Sequence, residues 1–199
     1  MNTERTNTGW GFWLAWFLAS SVGFGVGALL GINVAYGLID GDVFITLGII
    51  MGATGGYFQW VVLRERIAGA GLWGLASALG FGLTMGAIVA ADAVEIDAMT
   101  AVLIASVFGV VSGILQWLIL RRKVPRAGWW LLANIIGSLI GAIALPIASA
   151  ILEAGKWELG FMTFGLVFGA GNGAITGATL VWLLRQSPSS NVEELVTAH

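Results

Sequence analysis

Six stretches of the sequence are long and apolar, and none of them contains a charged side chain. An α-helix needs about 20 apolar residues to cross a bilayer, and every stretch has that length. The six stretches cover residues 10–36, 43–63, 68–91, 98–120, 128–152 and 159–184. This pattern predicts an all-α polytopic integral membrane protein with six transmembrane helices. We expect a single bundle over residues 1–187 and a short disordered cytoplasmic tail over residues 188–199.

The charged residues, which make up only 10% of the chain, collect between these stretches and sort by side. Eight of the nine basic residues fall on the side that carries both termini, whereas the opposite loops hold seven acids and Lys156. Cytoplasmic segments of membrane proteins are enriched in Lys and Arg, so both termini are predicted to be cytoplasmic. Nine of the ten tryptophans lie near the same helix ends. That placement favours an interfacial aromatic belt over stacking on a quinone, pigment or lipid head group.

One helical hairpin recurs along the chain. Residues 52–64 reappear as residues 109–121 at an offset of 57, and the first, third and fifth stretches follow the same offset. The sixth stretch matches the fourth at an offset of 64, which places Gly173 at the position of Gly109. The chain is therefore predicted to consist of three tandem parallel two-helix repeats, about 1–66, 67–126 and 127–187. The sequence leaves open whether the hairpins close around a pseudo-three-fold axis or lie side by side.

Small residues recur at every fourth position in each stretch, as in a glycine zipper. Such stripes let helix backbones approach closely where lipid supplies no hydrophobic drive between helices. The alternative is that glycine-rich faces make room for a flat ligand. The candidate helix-packing residues are Gly23, Gly27, Gly31, Gly52, Gly56, Gly109, Gly113, Gly169, Gly173 and Gly177. If they serve packing, a leucine at Gly27 or Gly113 disrupts folding.

A few uncharged polar residues lie inside the stretches, and they form the candidate polar pocket. Its members are Gln59, Gln116, Ser20, Ser77, Asn134 and Asn172. Interhelical hydrogen bonding and a cytoplasm-facing pocket for a lipid head group are both compatible with these residue types. Asn172 lies in a glycine-rich run, residues 169–173, where it either makes a plain hydrogen bond or breaks the helix to line a cavity. Pro146 is expected to kink the fifth stretch.

The residue inventory offers little for chemistry. The chain has no cysteine, and its one histidine is His199, so no thiolate, iron–sulfur or intramembrane His-ligated site is available. The aspartates near the second and fourth stretches can cap helices or bind Ca²⁺, and capping is the interpretation favoured for Asp42 and Asp97. We therefore expect no enzyme, no catalytic residue, no cofactor and no metal. A net charge of −2 predicts no nucleic-acid partner.

The two segments 52–64 and 109–121, each of the form Gly-x3-Gly-x2-Gln-Trp-x2-Leu-Arg, resemble uncharacterised bacterial multi-pass membrane proteins built from such hairpins. The resemblance covers most of the chain and implies a bacterial inner-membrane location; that group brings no assigned activity. The sequence favours a non-catalytic integral membrane module, namely an assembly or accessory subunit or a lipid-binding protein, whose partners are lipid, another membrane protein or further copies of itself. The alternative is a channel or passive transporter for a small neutral or apolar solute.

Overall fold

The computed structural model describes residues 9–37, 42–67, 69–91 and 98–186. The regular structure in these ranges is helical. The helices are α1 (Trp10–Gly37), α2 (Val43–Leu63), α3 (Trp73–Ala90), α4 (Ala98–Leu120), α5 (Trp129–Gly141), α6 (Ala144–Glu153) and α7 (Trp157–Arg185), with a 3₁₀ turn at Ala70–Leu72 before α3. Counting α5 and α6 together, six helical segments are long and apolar enough to cross a membrane.

The helix ends lie close to the predicted ones, and local chemistry explains them. The bounds of α2 and α4 equal those predicted. Asp42 caps α2, because its carboxylate accepts hydrogen bonds from the backbone N–H groups of Phe44 and Ile45 at 2.9 and 3.0 Å. The predicted cap at Asp97 and the predicted tail lie outside the described residues. At the other end of α2, Gly69 adopts a φ of 88°, which reverses the chain toward α3.

The fifth span is interrupted, as Pro146 predicts. α5 ends at Gly141 and α6 begins at Ala144, within one turn before the proline. Pro146 has no N–H to donate to the carbonyl oxygen four residues earlier. That oxygen belongs to Ala142, and it accepts from the N–H of Leu145 at 3.0 Å instead. The helix is therefore interrupted just before Pro146, and α6 packs against α7.

The six spans form a closed ring in chain order. Each span packs against the next, and α7 closes the ring by packing against α1 and α5. The ends of α2, α4 and α7 meet the start of α1 at one end of the ring, where the guanidinium of Arg66 lies 5.5 Å from the ring centre of Phe12. We call this end, with Arg64, Arg66, Arg121, Arg122, Lys123, Arg126 and Arg185, the basic end.

Three tryptophans fill the axis of the ring near the basic end. Trp16, Trp73 and Trp130, here called the tryptophan triad, are at most 1% exposed. Their ring centres are 5.9, 6.0 and 5.4 Å apart, and each pair meets edge to face. The interfacial-belt prediction is therefore wrong for these three residues. They occupy the interior, where the three rings pack on one another and each indole N–H has a hydrogen-bond acceptor.

The other half of the ring is filled by phenylalanine. Phe24, Phe81, Phe108 and Phe168, here called the phenylalanine cluster, are 3–6% exposed. Phe81 and Phe108 are the closest pair, with ring centres 4.0 Å apart. Small residues such as Ala28 and Ala144 complete this core. Aromatic side chains thus fill both halves of the space that the helices enclose.

The outer surface is apolar. Large aliphatic side chains point away from the bundle on several helices, among them Leu14, Leu83 and Leu132, which are 49%, 59% and 48% exposed. A water-soluble monomer rarely exposes so continuous an apolar surface. The outer surface is thus hydrocarbon, whereas the polar side chains within the spans, such as Gln59 and Asn172, are buried.

Glycines stand where two helix backbones touch. A Cβ atom placed on Gly27 would lie 2.8 Å from the Cα atom of Met51, and one on Gly109 would lie 2.7 Å from the Cα atom of Ile135. A Cβ atom cannot lie this close to a Cα atom of another helix, so neither position can carry a side chain unless the helices move apart. Several other predicted packing glycines have comparable contacts with a neighbouring helix, namely Gly23, Gly31, Gly52, Gly56, Gly113, Gly169, Gly173 and Gly177.

The register of α7 differs from the predicted one by one helical turn. A Cβ atom on Gly173 would lie 2.6 Å from the Cβ atom of Ser20, much as one on Gly56 would lie 2.7 Å from that of Ser77. Gly173 therefore corresponds to Gly56, and hence to Gly113 rather than Gly109. The contacts of α7 thus match those of α4 at an offset of 60, not at the predicted 64. The error arises because a small residue at every fourth position matches nearly as well after a slip of four.

Candidate functional site

The interior polar residues form hydrogen-bonded groups that each join three helices. We call each group, a glutamine together with the tryptophan and the serine that it bonds, a staple. In the first staple, the indole N–H of Trp73 donates to Oε1 of Gln59 at 3.0 Å. Nε2 of the same amide donates to the hydroxyl of Ser20, also at 3.0 Å. Gln59 is 3% exposed and lies on α2, so its amide joins α1 to α3. One side chain thereby satisfies a donor on one neighbour and an acceptor on the other.

The second staple repeats this arrangement one hairpin later. Trp130 donates to Oε1 of Gln116 at 3.1 Å, and Nε2 of Gln116 donates to Ser77 at 3.0 Å. The hydroxyl of Ser77 in turn donates to the carbonyl oxygen of Trp73 at 3.1 Å. Partner separations of 14 and 39 residues recur in both staples. The glutamine–serine hydrogen bonds that the sequence suggested are therefore present.

The third junction uses different residues. Trp16 donates its indole N–H to the hydroxyl of Thr176 at 3.0 Å, which ties α1 to α7. Thr176 lies 60 residues after Gln116 and takes its place, and its hydroxyl donates to the carbonyl oxygen of Asn172 at 2.7 Å. Asn134 donates within its own helix, to the carbonyl oxygen of Trp130 at 3.0 Å. All three indoles of the tryptophan triad thus have a hydrogen-bond acceptor.

Asn172 makes a plain hydrogen bond inside an unbroken helix. Its amide donates to the hydroxyl of Ser138 at 3.3 Å, and both side chains are at most 4% exposed. α7 runs without interruption from Trp157 to Arg185. The alternative prediction of a helix break at residues 169–173 is therefore wrong. Close packing on α1 and α5 supports the helix through its glycines.

One buried hydroxyl stands apart. Ser112 is 1% exposed, and among the described residues its Oγ is the buried side-chain polar atom that lacks a hydrogen-bond partner. It packs against Gly80 on α3. Asn172, which lies 60 residues later on α7, has a partner in Ser138. An unpaired buried hydroxyl costs about 1–3 kcal/mol of desolvation.

The chemistry available to this interior is limited by its residue types. The staples are built from carboxamides, hydroxyls and indoles, all uncharged at neutral pH. Within the described ranges, no three His, Cys, Asp or Glu residues come together in a group able to hold a metal ion. The arrangement can join helices and fix the orientation of the indoles.

Three cavities formed by described residues lie at the surface, away from the staples. One of about 490 Å³ lies between α1 and α7 at the basic end and is lined in part by Trp13 and Arg185. A second, also about 490 Å³, lies between the same helices at the opposite end, beside Tyr36 and Glu158. A third, about 320 Å³, lies beside Trp129. The six candidate pocket residues do not line any of these three cavities.

Five residues of the network lie outside the polar pocket predicted from the sequence, namely Trp16, Trp73, Trp130, Ser138 and Thr176. The three tryptophans were predicted at the membrane interface, although Trp16 and Trp130 stand at the offset of 57 from Trp73 on either side. That shared offset was the available signal for a common central position. Thr176 was missed because the offset of 64 aligned Leu180, not Thr176, with Gln116. Leu180 is fully buried, as are Leu63 and Leu120.

Comparison of the chain with protein-family models, with curated proteins and with solved structures finds no match.

Proposed function

We propose that this protein is a non-catalytic integral membrane module whose role is played by its outer surface, through lipid or through a neighbouring membrane protein, which includes further copies of itself. The observation that carries the proposal is the tryptophan triad, whose rings lie 5.4–6.0 Å apart on the axis. With the phenylalanine cluster behind it, the triad leaves the interior of the ring filled. A bundle filled in this way acts through what binds around it.

Membrane insertion is supported by the distribution of apolar and charged residues. The outward side chains are hydrocarbon, and the described charged residues lie at the two ends of the ring. Trp10, Trp129 and Trp182 are 82%, 55% and 42% exposed near the basic end, which suits tryptophan at an interface. On this proposal, the positive-inside rule places the basic end and both termini in the cytoplasm, and the resemblance to bacterial multi-pass proteins implies that the membrane is a bacterial inner membrane.

A tandem origin of the three hairpins is supported by matched interactions. The two staples share their partner separations, and the turns that precede α3 and α5 share an unusual backbone geometry. Gly69 and Arg126, 57 residues apart, both have positive φ, at 88° and 55°. Glycine contacts in α2, α4 and α7 recur at offsets of 57 and 60. On this proposal, the three units form a pseudo-three-fold bundle held by glycine-zipper packing.

Native mass spectrometry of the protein, extracted gently from its own membranes, tests the proposed role. We expect a species heavier than the 20.8 kDa chain, carrying phospholipid, a second polypeptide or further copies. The matched comparison is the same preparation after exchange into a harsh detergent, which should strip these companions. A bare monomer in the gentle preparation would contradict an external binding role.

The alternative function, a channel or passive transporter for a small neutral or apolar solute, requires an open path along the axis of the bundle. Such a path would have to pass the tryptophan triad, whose side chains are at most 1% exposed. Stopped-flow swelling of proteoliposomes in glycerol or urea distinguishes the two functions. We expect the same rates as in protein-free liposomes, and a protein-dependent increase would favour the channel.

A further inference from the structure

The cavity between α1 and α7 at the basic end combines an apolar slot with a cation. We call it the α1–α7 groove. Its volume is about 490 Å³, within the range of ordinary small-ligand sites. Trp10 and Trp13 form one wall, Ala174 and Ala178 belong to the opposite helix, and Arg185 lies at its end.

The aromatic wall is fixed before any ligand arrives. The indole N–H of Trp13 donates to the carbonyl oxygen of Ala174 at 3.0 Å, across the groove. The Trp13 ring stacks on Phe17 at 5.5 Å and meets Trp10 edge to face at 5.4 Å. Trp13 therefore holds its position, while the 82% exposed Trp10 extends the wall outward. A preorganised wall lowers the entropic cost of binding.

The wall that α7 contributes carries only small side chains at the place where an acyl chain would lie. Ala174 and Ala178 are one turn apart on α7, so a shallow channel runs along the helix beside Val181. Arg185 lies eleven positions after Ala174, which is about 16 Å along a helix. That span reaches from the level of a lipid phosphate into the hydrocarbon region. The groove thus presents a cation at head-group depth and an apolar channel below it.

The surrounding charge favours an anion. Beyond Arg185, the basic end carries Arg126, whose guanidinium donates to Oε1 of Gln186 at 3.1 Å, directly after α7. Arg121, Arg122 and Lys123 lie at the same end, after α4. Each basic residue near an anionic head group contributes about 1 kcal/mol of attraction.

We infer that the α1–α7 groove binds one anionic phospholipid, with the phosphate at Arg185 and one acyl chain between Trp13 and Ala178. The inference rests on the proposed membrane location and names a ligand for the external surface. An anionic lipid fits both halves of the groove, since its phosphodiester needs a cation and its chain needs an apolar channel. A zwitterionic lipid would use the channel but gain less from the net positive charge.

Native mass spectrometry with defined lipids tests the inference. The full-length protein, delipidated in detergent, is mixed with equal amounts of phosphatidylglycerol and phosphatidylcholine that have identical acyl chains. We expect one phosphatidylglycerol per chain to be retained in preference to phosphatidylcholine. Arg185→Gln should lower its retention about fivefold, whereas Arg122→Gln, which removes a charge from the same end but outside the groove, should lower it much less.

A second pair of variants tests the channel independently of charge. Ala178→Leu fills the groove and should reduce retention of both lipids, while Ala150→Leu, at an exposed position on α6, should not. Equal retention of the two lipids by the unmodified protein would overturn the inference. So would equal losses from Arg185→Gln and Arg122→Gln, which indicate bulk attraction only. A protein that retains no specific lipid yet still carries a second polypeptide would defeat this inference while the proposed function stands.

Discussion

The interface between α2 and α3 contains one glycine that has no room for a methyl group, Gly52, and one that has room for it, Gly74. A Cβ atom on Gly52 would lie 2.5 Å from the carbonyl oxygen of Ser77 and 2.9 Å from the Cα atom of Ala78. Both are backbone atoms, which cannot rotate away. On Gly74, in the same interface, the nearest atom would be the carbonyl oxygen of Ala53 at 3.7 Å, an ordinary contact.

The expected effects of Gly52→Ala and Gly74→Ala therefore have opposite signs. Alanine is favoured over glycine in a helix by about 1 kcal/mol, and both variants gain this term. Gly52→Ala must also push the helices apart by about 0.9 Å to restore a 3.4 Å contact, at a typical overpacking cost of about 1–3 kcal/mol. We expect Gly52→Ala to lower the free energy of unfolding by up to about 2 kcal/mol, and Gly74→Ala to raise it by up to about 1 kcal/mol.

Reversible unfolding by SDS in mixed micelles, followed by far-UV circular dichroism, measures both values on the same scale. If close backbone approach stabilises the bundle, Gly52→Ala should lower the free energy of unfolding and Gly74→Ala should not. Equal free energies of unfolding for the two variants would refute the packing argument. The result would then favour glycine as room for a ligand.

The same assay tests three further consequences of the interior. Trp73→Ala should lower the free energy of unfolding by about 3–5 kcal/mol because it leaves a cavity on the axis. The exposed Trp129→Ala should change it by less than about 0.5 kcal/mol, and similar losses in the two variants would contradict a central role for the triad. Ser112→Ala should stabilise the protein by about 1 kcal/mol because it removes an unpaired buried hydroxyl, and a clear loss would mean that the hydroxyl has a partner. Thr176→Val should destabilise the protein by about 1–2 kcal/mol because the indole of Trp16 loses its acceptor. An unchanged free energy of unfolding would show that this hydrogen bond does not stabilise the bundle.

Helix positions were predictable because two strong physical signals coincide in this chain. Uncharged apolar runs fix where the helices lie, and flanking charges fix where they end, as at Asp42 before α2. The proline in the fifth span adds a local backbone rule that needs no tertiary information. The glutamine–serine staples also followed, because two amides and two serines share the offset of 57 and have few partners inside lipid.

The interior order was harder to predict, because spacing along one helix does not show which face meets which neighbour. A tryptophan near a helix end can face the membrane interface or the axis of the bundle. Trp16 and Trp10 lie on the same helix, and only the packing of the other spans around α1 buries Trp16 and leaves Trp10 exposed. The register of α7 was ambiguous for a related reason. A stripe such as Gly169, Gly173 and Gly177 repeats every four residues, so the sequence match changes little after a slip of one turn. The contact of Gly173 with Ser20 and the hydrogen bond from Trp16 to Thr176 select one register.

The central claim is that the axis of the bundle is sealed, and cysteine labelling tests it most directly because the chain contains no cysteine. Ser138→Cys places one thiol at a position that is 0% exposed, and Arg122→Cys places one at the exposed basic end. A membrane-impermeant maleimide is applied to both sides of native vesicles. We predict that Arg122→Cys reacts and that Ser138→Cys reacts only after denaturation in SDS. Labelling of Ser138→Cys in native vesicles at a rate close to that of Arg122→Cys would contradict the account and point to a water-filled path.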